Sequence, residues 1–435
     1  MKNKILPCLF FLIIFQHLFF ILFFPPIIEG DSNLYITLAQ KIISNYEFDN
    51  NIRLPGYPIF LAAIYKIFGQ SNLAVIIFQH LLGIIVYLLM IKILPSEKYR
   101  IVFSILYFFD LLYNSYQHAI LANSLFSFLL CVSAYFIWLY QRNSKYIYLL
   151  LCGLFVALGI FVKPVLKFFP YFAILLFFIN KQNIKNKLVS GIFFIIFPLL
   201  FVNLWGLKNY LQKGYFSLLP FESFHYIGRI VNYMEFPENS ISKETFLKYI
   251  KLKPIPRKFK SSVVYSTIAE LKKEKKLSEL EMDSELKRIF KTSILKHPFI
   301  YTKENFIELF YFFFSAHNLY AKYSLQGKIP FSVTEGIHNK KILPILLKVL
   351  VSMHPFYWLV FFLSVYFVVS NIRKIFIDKD IFSLYIIGVI IYISAITCMA
   401  NEGLAAYRGD IHPFMIFIAT FSIMKLISKN RRKLL

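Results

Sequence analysis

Apolar residues in this chain occur mainly in long runs separated by short polar segments. The first run covers 5–28 and contains no charged residue. The later runs are 72–94, 101–120, 122–140, 147–162, 165–180, 188–206, 345–370, 381–400 and 411–427. Because about 20 apolar residues span a bilayer as a helix, the pattern predicts about ten transmembrane helices. The first run exceeds the roughly 7–15 residues of a signal-peptide core, so we expect it to remain as the first span.

Two longer segments interrupt this pattern. The first, 29–71, holds two amphipathic stretches at 33–43 and 57–68, which are too short to span and suit helices lying at the membrane interface. The second, 207–344, is charged and mixed in sign over 231–298.

Within the second segment, the stretch 269–291 is rich in Lys and Glu, which predicts a helix. The apolar run 306–316 is too short to cross and predicts a further interfacial helix. The expected fold class is therefore an all-α polytopic membrane protein.

The same pattern predicts the domain organisation. Residues 1–206 are expected to form a transmembrane module, with first-loop interfacial helices at 29–71. Residues 207–344 form an outside segment that is partly helical, and 345–435 hold the last three spans and a basic cytoplasmic tail.

Charge placement gives the orientation. The net charge of +25 could indicate nucleic acid, but cytoplasmic loops of membrane proteins also collect Lys and Arg. With the N-terminus inside, the inside segments hold sixteen Lys and Arg against three acids; these segments are 1–4, 95–100, 141–146, 181–187, 371–380 and 428–435. We therefore expect a multi-pass protein of the cytoplasmic (inner) membrane with both termini cytoplasmic, and no nucleic-acid partner.

The first outside loop carries the sequence EGDSNLY at 29–35. Glu29 and Asp31 lie where a span ends, where acids can bind a divalent cation such as Mg or Mn, or where one can act as a general base. The alternative is an ordinary helix start with Asp31 or Ser32 as the N-cap.

A proline- and glycine-rich turn follows in the same loop, RLPGYP at 53–58. It places Arg53 near the membrane surface, where its guanidinium can bind a phosphate in a forked geometry. The alternative is an interfacial anchor formed by Arg53 and Tyr57.

Three further cations are predicted on the outside against the charge rule: Lys163, Lys167 and Arg408. A lipid phosphate is one candidate partner. Asp110 is the alternative partner for Lys163, and Asp410 is the alternative partner for Arg408. His118 and His225 are lone histidines near the predicted outer surface, where a satisfied structural histidine is more common than a ligand.

Four motifs in order resemble the GT-C superfamily of polytopic glycosyltransferases, in particular bacterial relatives of protein O-mannosyltransferases and lipid A aminoarabinose transferases. They are the acidic first loop at 29–35, RLPGYP at 53–58, WGLKNY at 205–210 followed by Gly214, and YRGDIHP at 407–413.

This resemblance implies an inverting transfer of a sugar from a polyprenyl-phosphate carrier to a lipid-linked or envelope glycan acceptor at the outer face. It assigns Asp31 as the general base or metal-positioning acid, with Glu29 and Asp110 as supporting acids. Arg53, Lys163, Lys167 and Arg408 would neutralise the carrier phosphate. The implied substrate pocket includes Tyr35, Tyr57, Asn123, His118 and His225.

The chain departs from many of these relatives in its second outside loop. They carry an acid there, whereas LANSLF at 121–126 has Asn123 at the corresponding place, and Asp110 is the candidate substitute. Two other functions stay open: a polysaccharide polymerase or ligase of the O-antigen type, and a flippase or transporter. A catalytically inactive scaffold is a further alternative.

Overall fold

A computed structural model of the chain describes residues 4–45, 48, 52–179, 183–220, 223–249, 260–315, 319–320, 353–400 and 405–433. These residues form helices joined by short connections, and the described part contains no strand beyond one isolated bridge between Ile27 and Ala119. The predicted all-α class is confirmed.

The first half of the chain contains eleven α-helices within the described residues. They are α1 (Ile5–Phe23), α2 (Ser32–Asn45), α3 (Gly56–Phe68), α4 (Asn72–Ile93), α5 (Glu97–Phe108), α6 (Leu111–Gln117), α7 (Asn123–Asn143), α8 (Tyr146–Val162), α9 (Phe169–Ala173), α10 (Leu175–Ile179) and α11 (Ile184–Lys213). A short 3₁₀ turn, Pro164–Leu166, follows α8.

The described second half begins with five helices that follow the first bundle. They are α12 (Phe224–Ile230), α13 (Lys243–Tyr249), α14 (Lys260–Lys275), α15 (Glu279–Lys296) and α16 (Pro298–Phe314). The last three are α17 (His354–Asp378), α18 (Ile381–Ala400) and α19 (Ala405–Lys433).

Seven of the described helices are long and apolar enough to cross a membrane: α1, α4, α7, α11, α17, α18 and α19. They lie at seven of the predicted runs, and α8 fills an eighth with 17 residues. The outer surface of α1 fits a lipid environment, since Phe11 is 68% exposed and Leu22 is 74% exposed. Such apolar surface is stable against hydrocarbon and unstable against water.

Two predicted runs differ in form from a single span. The run 101–120 is divided between α5 and α6, because Asp110 breaks the first helix and caps the second, accepting a hydrogen bond from the Tyr113 amide at 3.2 Å. The run 165–180 is divided between the 3₁₀ turn, α9 and α10. The turn begins at Pro164, and Pro170 is the second residue of α9.

The two amphipathic stretches of the first loop are helical as predicted, as α2 and α3, and they pack against each other. The loop is anchored to the bundle by the bridge at Ile27, whose amide donates to the His118 carbonyl while its own carbonyl accepts from Ile120. The start of the first loop is therefore held beside the connection between α6 and α7.

Helices α12–α15 form a second hydrophobic core of their own, which includes Ile227, Phe246, Leu271 and Leu286. The Lys/Glu-rich run forms parts of α14 and α15, divided at Ser278, which caps α15 through a reciprocal pair of bonds with Glu281. Residues 306–314 of the run predicted at 306–316 form the second half of α16, and residue 316 lies outside the described residues.

Candidate functional site

The acid of the first loop is placed by a local turn. Gly30 has a φ of 54°, a left-handed conformation that glycine adopts without strain. The Ser32 hydroxyl donates to the Glu29 carbonyl at 2.8 Å and accepts from the Glu29 amide at 3.0 Å. The main-chain carbonyl of Asp31 accepts a hydrogen bond from the Tyr35 amide, so α2 starts here.

The Asp31 carboxylate pairs with the guanidinium of Arg53, from the same loop. Arg53 Nη2 lies 2.5 Å from Asp31 Oδ1, with Arg53 16% exposed and Asp31 46% exposed at the side chain. The acid is therefore held by a cation on its buried side and remains accessible on the other. Tyr35 and Tyr57 lie next to this pair: the Arg53 guanidinium is 5.9 Å from the Tyr35 ring, which packs edge-on against the Tyr57 ring at 4.9 Å.

The turn RLPGYP sets the position of Arg53 by close packing. A Cβ on Gly56 would lie 2.6 Å from the Phe161 carbonyl oxygen, so the start of α3 rests directly on the last turn of α8. The Tyr57 hydroxyl donates to Gln79 Oε1 at 2.7 Å, and Gln79 in turn donates to the carbonyls of Gln117 and Ala119. These contacts place the start of α3, which Arg53 closely precedes, against the end of α8, which one further cation directly follows.

That residue is Lys163, the second predicted cation. Its Nζ lies 2.6 Å from Asp410 Oδ2 and 4.8 Å from the Tyr407 ring centroid. Burial lowers the pKa of Lys163, while Asp410 and, more weakly, Asp31 oppose that shift. Asn123 Nδ2 donates to Asp410 Oδ1 at 2.8 Å.

Tyr35 connects these two ion pairs. Burial raises the pKa of its phenol, Arg53 opposes the shift, and the charges of Asp31 and Asp410 add to it. We call the group formed by Asp31, Tyr35, Arg53, Asn123, Lys163, Tyr407 and Asp410 the ionic cluster. It unites residues from the first loop, the start of α7, the end of α8 and the start of α19.

Arg408 lies in a different cluster. Residues 408 and 410 are about 200° apart around a helix, so they face opposite ways. Arg408 is buried and donates to the carbonyls of Phe313 and Ser315 at the end of α16, where a cation is favourable. On the same face, His412 Nδ1 lies 2.7 Å from Asp110 Oδ2.

The structure therefore brings Asp31, Arg53 and Lys163 together but places Arg408 and Asp110 elsewhere. Asp110, the candidate substitute for a loop acid, is occupied as the cap of α6 and as the partner of His412. The alternative partner proposed for each cation is also not the one observed, since Lys163 pairs with Asp410 and Arg408 with main-chain carbonyls.

The remaining predicted residues lie in other surroundings. His118 is buried beside the first loop, where Nε2 donates to the carbonyls of Phe24 and Pro25 at 3.0 and 3.1 Å. The Nζ of Lys167 lies 5.5 Å from the Phe168 ring centroid, one turn beyond Lys163. His225 lies in α12, and its side chain is outside the described residues.

The predicted divalent cation stays a prediction. Within the described ranges no three His, Cys, Asp or Glu side chains lie close enough to hold a metal ion. The two acids of the ionic cluster face Arg53 and Lys163 instead. This donor set does not fit a metal centre, and the chemistry proposed for the site uses side chains alone.

Asp410 was named from the sequence only as the alternative partner of Arg408, and its place in the ionic cluster was missed. It directly precedes the predicted run 411–427 but lies inside α19, and an ionisable residue inside a membrane helix is by default a functional candidate with a partner to be found. Asp410 follows Tyr407 by one helix turn, but its partner Lys163 is 247 positions away in the sequence, and residue spacing does not reveal such a pair.

Comparisons with known proteins support the family resemblance. Residues 53–205 match the model of the dolichyl-phosphate-mannose-protein mannosyltransferase family. That stretch contains Arg53, Asn123 and Lys163, and it lies between the other two members of the ion pairs, Asp31 and Asp410. No curated protein matches the chain.

Two solved structures are similar to the chain at low sequence identity. ArnT from Cupriavidus metallidurans bound to undecaprenyl phosphate is 9% identical with a TM-score of 0.38, over 97% of this chain and 78% of that one. ArnT from the same organism in the apo state is 8% identical with a TM-score of 0.38, over 95% of this chain and 76% of that one. The predicted resemblance to the GT-C glycosyltransferases is confirmed by the match of residues 53–205 to the mannosyltransferase model.

Proposed function

We propose that this protein is a membrane glycosyltransferase that moves a sugar from a polyprenyl-phosphate donor to a lipid-linked or envelope glycan acceptor at the outer face of the cytoplasmic membrane. The observation that carries this proposal is the ion pair between a half-exposed acid, Asp31, and Arg53, with a second cation, Lys163, close enough for the charge of Asp31 to act on it. One acid and two adjacent cations match the needs of a transfer in which a hydroxyl loses a proton while a phosphate departs.

In this mechanism Asp31 accepts the proton of the acceptor hydroxyl as its oxygen attacks the anomeric carbon of the sugar. The bond from that carbon to the phosphate oxygen breaks at the same time, and the electron pair leaves with the polyprenyl phosphate. Attack on the side opposite the leaving group inverts the anomeric configuration. The acceptor gains one sugar, and the carrier is released as its phosphate.

Arg53 and Lys163 act on the leaving group. Negative charge grows on the bridging oxygen as the bond breaks, and fixed cations stabilise that charge best in a site from which water is largely excluded. The forked guanidinium of Arg53 suits two phosphate oxygens, whereas Lys163 acts as a single charge. The edge-to-face rings of Tyr35 and Tyr57 keep this side of the site apolar and rigid.

The first test replaces Asp31 with Asn, which removes the base and keeps the size of the side chain. Transfer by the purified protein in lipid nanodiscs should fall by about 10²- to 10⁴-fold, the usual contribution of a general base. Mass spectrometry of the products measures the rate. Asp378→Asn is the matched control, because Asp378 is an exposed acid at the end of α17.

The products also separate this function from its alternatives. Comparison of envelope glycans with and without the protein should show the loss of one sugar. Loss of whole repeat units would identify a polymerase or ligase instead. Full activity of Asp31→Asn would remove Asp31 from the role of base.

A further inference from the structure

The carboxylate of Asp410 is fixed by two side chains from other elements. Asn123, the first residue of α7, donates to Oδ1 at 2.8 Å, and Lys163, directly after α8, lies 2.6 Å from Oδ2. Each carboxylate oxygen therefore has its own donor. The Asn123 amide also donates to the Ala406 carbonyl at 2.8 Å, so it holds both the carboxylate and the first turn of α19.

Burial raises the free-energy cost of leaving either charge of this pair without its partner. The side chain of Asp410 is fully buried, and that of Lys163 is 13% exposed. A buried charge is costly unless it is paired and hydrogen-bonded, and removing one partner leaves the other uncompensated. Lys163 is therefore held as a cation at this depth by the carboxylate beside it.

The amide at position 123 matters for the same reason. An acid at 123 would place a second carboxylate within 2.8 Å of Asp410, and two such groups cannot both stay ionised. An amide supplies a donor and adds no charge. Asn123 thus fits a site whose single acid comes from α19.

Asn123, Lys163 and Asp410 lie next to the residues to which the proposed function assigns the chemistry. Lys163 follows the last turn of α8, on which the start of α3 rests at Gly56, close behind Arg53. Asp31 acts electrostatically on Lys163, and Asp410 acts on Tyr35. Asn123, Lys163 and Asp410 form a largely buried part of the ionic cluster.

We infer that Asp410 is a positioning residue, which keeps Lys163 charged and directed toward the phosphate of the sugar donor, and that Asn123 orients Asp410 for this purpose. The inference rests on the proposed function for its ligand, a polyprenyl-phosphate-linked sugar. It adds to that function a second acid, supplied by the last membrane helix.

The kinetic test uses Asp410→Asn and the exchange variant Asp410→Asn/Asn123→Asp. Loss of a residue that orients a functional group typically costs about 10- to 100-fold. We expect Asp410→Asn to raise the KM for the donor by that order while kcat changes less. The exchange variant returns one carboxylate to the same pair and should recover part of the loss, since a carboxylate at position 123 cannot donate to the Ala406 carbonyl. Asp378→Asn again serves as the control.

A second measurement does not require glycosyl transfer. Acetic anhydride reacts with deprotonated amines, and peptide mass spectrometry quantifies the acetylation of each lysine across a pH series. Without its carboxylate partner, a largely buried lysine loses its proton at lower pH. The midpoint for Lys163 should therefore move to lower pH in Asp410→Asn and return in the exchange variant, with the exposed Lys98 as an unchanged internal standard.

The two measurements separate the possible failures. If the wild-type protein transfers no sugar but the Lys163 midpoint shifts as expected, the pairing stands and the proposed function fails. If Asp410→Asn leaves the Lys163 midpoint unchanged, the positioning role is wrong whatever the activity. An unchanged KM for the donor in Asp410→Asn, with the protein still folded, would also overturn it.

Discussion

Three buried histidines form a line inside the bundle, and their hydrogen bonds fix which nitrogen of each carries a proton. His118 Nε2 faces two carbonyls, so it must be the donor. When all three imidazoles are neutral, His118 Nδ1 then accepts from His80 Nε2 at 3.0 Å, and His80 Nδ1 accepts from His17 Nδ1 at 2.7 Å. The line connects α1 and α4 to the loop that precedes Asp31.

This arrangement predicts a structural cost for His118→Ala. The substitution leaves the buried carbonyls of Phe24 and Pro25 without that donor and His80 without its acceptor. An unsatisfied buried polar group costs about 1–3 kcal/mol, so thermal unfolding in detergent should occur at a clearly lower temperature. His297→Ala is the control, because His297 is one-third exposed. Equal melting temperatures for wild type and His118→Ala would show that the line contributes nothing.

At the level of elements, the ionic cluster depends on how closely α3 approaches α8. Gly56 lies against the main chain of Phe161 and Val162, where even one methyl group has no room. The contact fixes the start of α3, and with it Arg53, relative to Lys163. The RLPGYP motif is thus a packing device as well as the carrier of a cation.

Gly56→Ala should therefore displace α3 and reduce function. A Cβ would lie 2.6 Å from the Phe161 carbonyl oxygen, and overpacking of this kind costs about 1–3 kcal/mol. We expect a lower melting temperature together with a higher KM for the donor. Gly388→Ala is the matched control in α18, because a Cβ there meets no atom within 4 Å. The same loss in both variants would mean that the close approach to α8 is not the cause.

Sequence patterns predicted the helices better than the contacts between them. Amphipathic spacing indicated α2 and α3, and the predicted outside location of the cations pointed to Arg53 and Lys163, each of which forms an ion pair within the ionic cluster. The pairing of Lys163 was wrong because Asp110 breaks a helix and binds His412, a partner far along the chain. Arg408 and Asp410 lie on opposite faces of α19, so Arg408 contacts the end of α16 while Asp410 belongs to the ionic cluster. The sequence alone does not show which helix packs against each face.

At the scale of the whole molecule, the helices form an apolar bundle with a second core in α12–α15. Arg229 is buried between these parts and lies 3.3 Å from Glu308 on α16, while Asn305 accepts from it at 2.9 Å. This contact fixes the charged segment to the bundle at the helix that Arg408 caps. The middle of α16 and its C-terminal end are thus each connected to a buried arginine from elsewhere in the chain.

The orientation of this assembly stays a prediction, and it decides whether the ionic cluster meets acceptors outside the cell. Inside segments rich in Lys and Arg place α14 outside and the end of α19 in the cytoplasm. In a Cys8→Ala background, Ser266→Cys and Ser428→Cys each offer an exposed thiol, while the remaining native cysteines are buried. A membrane-impermeant maleimide should label position 266 in intact cells, and position 428 only after permeabilisation. The reverse pattern would place Asp31 on the cytoplasmic side, where the proposed transfer to envelope glycans does not take place.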